Sequence, residues 1–160
     1  MFRHQKGFSL IELLIVVAII LIIAAIAIPN LLRSRMAANE ASAVGSVRTI
    51  NTAEVSFSTT YPNVGFTDLA SLGGTTATCA TGASSTGACL IDEVLSLSGI
   101  KSGYRFTATP AGGTPFVTYS TLAKPVVPGQ SGQRAFCSDE SAVIRNNAGG
   151  TSCTNADPAL

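Results

Sequence analysis

Hydrophobic and polar positions fall into three patterns along this chain. From Phe8 to Ile28 the residues are apolar almost without interruption, Ser9 and Glu12 being the only polar ones. At about 1.5 Å per helical residue such a run crosses a hydrocarbon core of roughly 30 Å, so it predicts a membrane-spanning helix. Beyond Pro29 the pattern turns amphipathic: Val44, Val47, Ile50 and Phe57 recur on one helical face, while Arg33, Glu40 and Arg48 lie off it. An interior proline removes a backbone donor and crowds the preceding turn, so a kink or local opening is expected at Pro29. Small residues at Ala37, Ala38, Ala41, Ala43 and Gly45 leave room for close approach of another backbone. The helix should end near Ser58, ahead of Thr59, Thr60, Tyr61 and Pro62.

The third pattern is short and alternating. Residues 61–99 read as a connecting region, with Gly73-Gly74, Gly82, Ser84-Ser85 and Gly87 as loop punctuation and one short helix over Leu90 to Leu97, stopped by Gly99. Tyr104, Phe106 and Ala108 then alternate with Arg105, Thr107 and Thr109, a turn follows near Ala111-Gly112-Gly113, and Phe116 to Leu122 forms a second run. Arg134 to Cys137 and Ala142 to Arg145 supply the third and fourth. An antiparallel sheet of three to four strands, packed on the amphipathic helix, buries both apolar faces, which makes the fold class α+β. The expected divisions are 1–7, 8–28, 29–60, 61–99 and 100–160.

Composition changes this picture little. One modest domain plus an anchor fits 160 residues, and the mean hydropathy of +0.39 comes largely from the N-terminal run. Ten basic and nine acidic residues give a net charge of +1, so bulk charge offers nothing to nucleic acid. Arg3 and Lys6 precede the apolar run and Arg33 and Arg35 follow it, which leaves the topology nearly tied by charge alone. The cysteines break the tie. Cys79, Cys89, Cys137 and Cys153 all lie in the C-terminal part, and an even number in a short exported domain predicts disulfides outside the cytoplasm. Of the three possible connectivities we favour Cys79–Cys89 with Cys137–Cys153, since each closes a local loop.

The most informative residue is the misplaced charge. A carboxylate in a bilayer is costly, by about 2.5–3.5 kcal/mol at its centre and less near the edge where Glu12 would lie. Cleavage after Gly7 would leave a positive amine on Phe8, four residues before Glu12. That amine reaches Glu12 of its own chain or of an adjacent copy, and a packed array of identical helices supplies one partner per carboxylate. Two plainer readings compete. Arg3 and Lys6 ahead of an apolar stretch, with Ala25-Ile26-Ala27, also match a secretory signal peptide cut after Ala27, although the run is long and Glu12 atypical for one. A simple anchor leaves the Gly7-Phe8 junction and Glu12 unexplained together.

Gly7-Phe8-Ser9-Leu10-Ile11-Glu12, behind Arg3 and Lys6 and ahead of unbroken aliphatics, resembles the prepilin leader and N-terminal helix of type IV pilins and type II secretion pseudopilins. The resemblance covers about the first 35 residues closely and the remainder in layout only. It implies the pilin fold, cleavage after Gly7 by a prepilin peptidase, N-methylation of Phe8, and assembly through Phe8, Glu12 and Pro29, with the chain loosening near the proline. It also implies storage in the bacterial inner membrane, then self-assembly into a surface pilus driven by an ATPase and platform machinery. The alternatives are a periplasmic pseudopilus of a type II secretion system and, from another class, a monomeric anchored or secreted binding domain. By position, Cys137–Cys153 matches the family's C-terminal disulfide loop, and residues 63–90 its variable surface loop.

No catalytic constellation is legible. His4 is the only histidine and sits in the leader, so Ser-His and Cys-His nucleophile pairs cannot form in a cleaved chain. Without histidine or Cys-x-x-Cys, no zinc or haem site is expected, and no cofactor. Asp92-Glu93 and Asp139-Glu140 are candidate calcium carboxylates, but neither shows the alternating oxygens and turn glycine of a calcium loop. The expectation is a structural subunit rather than an enzyme.

Overall fold

The computed structural model describes residues 7–160, so Arg3, His4 and Lys6 lie outside the described residues. Helix α1 runs Leu10–Thr60 without a break. The local opening expected at Pro29 is absent: proline deprives only the Ala25 carbonyl of its donor, and the helix of 51 residues absorbs that single loss. At its far end α1 gains one more bond, from the Tyr61 N–H to the Phe57 carbonyl at 2.8 Å, before Pro62 stops it. Two compact units divide at Arg35 and Met36.

Within Met36–Leu160 the sheet is a five-stranded antiparallel meander in chain order, rather than three to four strands: β1 Ile100–Lys101, β2 Tyr104–Ala111, β3 Thr118–Pro125, β4 Ala135–Asp139 and β5 Arg145–Asn147. β1 has only two residues, pairing Ile100 with Arg105 and Lys101 with Tyr104, too short to leave an alternating pattern. The last strand lies later than Ala142 to Arg145. Ala142 closes a turn on the Asp139 carbonyl with φ 57°, so pairing resumes only at Arg145 opposite Cys137.

The connecting region is more structured than its glycines suggest. α2 (Leu69–Leu72) is capped by the Asp68 carboxylate and α3 (Thr76–Thr81) by Thr75, the short polar side chains accepting backbone N–H groups that would otherwise lack partners. The short helix expected over Leu90 to Leu97 is a π-helical turn, Val94–Ser98, ended by Gly99 in the left-handed conformation that glycine adopts cheaply.

One face of α1 packs on one face of the sheet. Ala43, Val47, Ile50, Ala53 and Phe57 from the helix join Tyr104, Phe106, Ala123 and Phe136 from the strands, with Leu69, Leu72 and Leu95 closing one side. Val44, expected on that face, is only partly buried at its margin. Tyr104 donates its hydroxyl proton to the Arg134 carbonyl at 2.8 Å. The chain passes so close there that a side chain at Gly132 would collide with the Tyr104 ring. Every residue of β4 is buried, because α1 covers one face and the Cys153 segment, bonded to Cys137, covers the other.

Candidate functional site

From Leu10 to Pro29 the segment is a helix left uncovered by the other described residues. Leu10 begins it, with the Ser9 carbonyl accepting from the Glu12 and Leu13 N–H groups at 3.1 and 3.3 Å. From Gly7 to Arg35 every residue is exposed except Ala24, which is half-buried. The run is long and apolar enough to cross a membrane. Among the described residues its isoleucines and leucines are exposed, so their burial must come from lipid or from other chains.

Phe8 and Gly7 lie ahead of the first helical turn and are exposed, open to an enzyme that must engage extended backbone. Glu12 sits inside that turn, where the unpaired N–H groups and the helix dipole favour a negative charge. Among the described residues it makes no ion pair; the two that form are Lys101–Asp92 and Arg134–Glu40. Phe8 lies ahead of the helix, which begins at Leu10. Pro29 lies within α1, exposed on the same unit.

In the head, disulfides join Cys79 to Cys89 and Cys137 to Cys153. Three of the four carboxylates considered for calcium accept from protein donors. Asp92 accepts from Lys101 Nζ at 2.7 Å and Glu93 from the Thr76 hydroxyl, while Asp139 accepts from the Ser141 N–H at 3.0 Å. Beyond the second disulfide, Asp157 is held below the usual carboxylate range, first by the Thr154 N–H and then by the Asn147 amide, which folds the C-terminal loop on itself.

Two side chains in the helix–sheet layer were not singled out by pattern. Asn51 donates to Ser138 Oγ at 2.8 Å and accepts from the Tyr119 hydroxyl at 3.1 Å, crosslinking α1 to β3 and β4. Glu54 is buried among apolar neighbours. Its signal was present in the sequence: it follows Val47 by seven positions and Ile50 by four, so it falls on the apolar face where a carboxylate needs a reason.

Residues 2–28 match the prokaryotic N-terminal methylation motif. The chain is 66% identical over 38 residues to the type IV wide pilus major component PilA4 of Thermus thermophilus, covering 24% of this chain and 29% of that one. It is 48% identical over 54 residues to the type IV major pilin protein PilA of Myxococcus xanthus, covering 34% of this chain and 24% of the relative. No solved structure matches. The motif and both matches make the N-terminal part of this chain similar to that of type IV pilins, and it heads a long helix packed on an antiparallel sheet. The chain spans less than a third of the length of either relative.

Proposed function

We propose that this chain is the structural subunit of a type IV pilus, held in the inner membrane as a precursor and polymerised after cleavage between Gly7 and Phe8. One observation carries the reading: a methylation motif heads an apolar helix whose side chains are exposed among the described residues. Prepilin peptidase would free and methylate the Phe8 amine, and that amine would pair with Glu12 of a neighbouring copy, offsetting the cost of moving the carboxylate among apolar helices. Register follows from the pairing, since each copy offers one amine and one carboxylate. Pro29, with one helical bond missing, is the place where α1 would yield during packing. Energy for extraction from the membrane would come from an assembly ATPase and its platform protein.

Intact mass and N-terminal sequencing of protein from sheared cell surfaces test this. A chain that begins at Phe8 and carries one added methyl group is expected. A chain beginning at Ile28 would mean an ordinary secreted protein and overturn the reading. Correct processing with the protein confined to the envelope would overturn the surface pilus in favour of a secretion pseudopilus.

A further inference from the structure

Glu54 lies on the inner face of α1 at 0% exposure. Its Oε2 accepts from the Thr67 backbone N–H at 3.0 Å, while Oε1, equally enclosed, has no hydrogen-bonding partner. No cation among the described residues pairs with it. The titratable groups facing it are acids: Asp68 from the connecting segment and Tyr119 from β3, the latter also within the fields of Asp139 at the end of β4 and Glu140 just beyond it. Tyr119 spends its hydroxyl proton on Asn51, so that donor does not reach Glu54. Burial, and secondarily the charge of Asp68, outweigh the Thr67 N–H and lift the carboxyl from 4.5 to about 7.

We propose that Glu54 is a proton-operated latch between α1 and the connecting segment 66–73, holding that segment down while its carboxyl keeps the proton and letting it lift when the proton leaves. An ionised carboxylate with one hydrogen bond, no cation and an acidic neighbour must gain water, and the element that yields is the one with the fewest ties. Helix and sheet are joined through the whole core. Segment 66–73 is held to the rest of the head by the Phe66 N–H on the Phe116 carbonyl, the Thr67 N–H on Glu54, the Leu90 N–H on the Leu72 carbonyl, and the side chains of Leu69 and Leu72. Behind it comes the stapled loop, since the Ala88 and Cys89 N–H groups bond to the Ser71 and Gly73 carbonyls. Opening at Thr67 therefore displaces the Cys79–Cys89 loop as a unit.

The sign follows from the closed state binding the proton more tightly than the open one. Closure is favoured fully below 4.5 and that advantage is lost as pH rises to about 7. Amide hydrogen exchange on the full chain in detergent, corrected for intrinsic chemistry, reads this directly. Protection of the Thr67 amide and of segment 66–73 should fall up to about tenfold per pH unit across that window and level off above it. E54Q should flatten the profile. D68N, which can still cap α2 through its amide oxygen, should move the midpoint to lower pH, and it carries the test if E54Q does not fold. A flat wild-type profile, an unshifted midpoint in D68N, or loss of protection spread equally through β2 to β4 would each overturn the latch.

Discussion

The first 26 residues of α1 and the last 18 of the same helix solve opposite problems. Leu10 to Arg35 exposes almost every aliphatic side chain it has, whereas the stretch from Ala43 to Thr60 buries Val47, Ile50 and Phe57 completely against strands of its own chain. The difference is one of pattern width. An apolar face repeating at helical spacing can be covered by one sheet, but a helix apolar all round can be satisfied only by lipid or by neighbours on every side. A single helix therefore carries two kinds of stability, one internal to the head and one deferred to an environment the monomer does not contain.

The comparison breaks most decisively at Glu12, the one charge between Phe8 and Ile28. If Glu12 finds its partner in another copy, Glu12→Ala should abolish or sharply reduce filament yield while membrane insertion and head stability stay at wild-type values. Sheared-filament yield beside membrane fractionation and thermal melting of the same variant measures all three. Normal filaments would show that Glu12 is merely tolerated. Phe57→Ala should do the reverse. The ring is fully buried with its centroid 4.9 Å from that of Tyr61, so truncation should cost about 3–5 kcal/mol of head stability, read by chemical denaturation of the full chain, and leave insertion intact.

Legibility followed the same division. The N-terminal helix was readable to within two residues at its end because its signals are local: an uninterrupted apolar run, then helical spacing, then proline. The layout of helix and antiparallel strands was readable from the alternation at Tyr104 to Thr109. β1 was not, since two residues carry no period, and the last strand was misplaced because a left-handed Ala142 in the preceding turn leaves no compositional mark. α2 and α3 were hidden by glycines around them, although Asp68 and Thr75 are ordinary caps. At Pro29 the helix continues, one missing hydrogen bond being too small a loss to open it. In the candidate site, Gly7, Phe8 and Glu12 stood out because their residue types are wrong for a plain membrane segment. Glu54 is equally wrong for an apolar face, yet its enclosure depends on Thr67 and on strands distant in sequence.

A smaller effect sharpens the internal half. The Cys137–Cys153 bridge closes a loop of sequence separation 16, for which about 3 kcal/mol of loop-closure stabilisation is the usual scale. Replacing both cysteines by alanine should lower head stability by roughly that amount, and β4, now bare on its outer face, should lose exchange protection first. Equal loss of protection across α1 and β4 would mean that the bridge supports the whole head rather than this strand.

The smallest expected effect separates two carboxylates of the same helix by the sign of their pH dependence. Burial opposes ionisation of Glu40, but the Gln133 N–H and the N–H groups and guanidinium of Arg134 together hold its carboxyl below 4.5. A lowered value means that the folded state holds the proton less tightly, so Glu40 stabilises the head above its unfolded value and loses that contribution as pH falls through the acid range. Glu54, raised to about 7, contributes in the opposite direction. The Arg134 side chain is 42% exposed, so solvent screens the pair and Arg134→Gln should cost about 1 kcal/mol or less near neutral pH. The informative readout is the slope. Denaturation of the full chain as a function of pH should show a weaker acid-side loss in Arg134→Gln than in wild type, with the loss attributable to Glu54 as pH rises from 4.5 to about 7 unchanged. An identical acid limb in both proteins would show that the backbone N–H groups of Gln133 and Arg134 hold the Glu40 charge without the guanidinium.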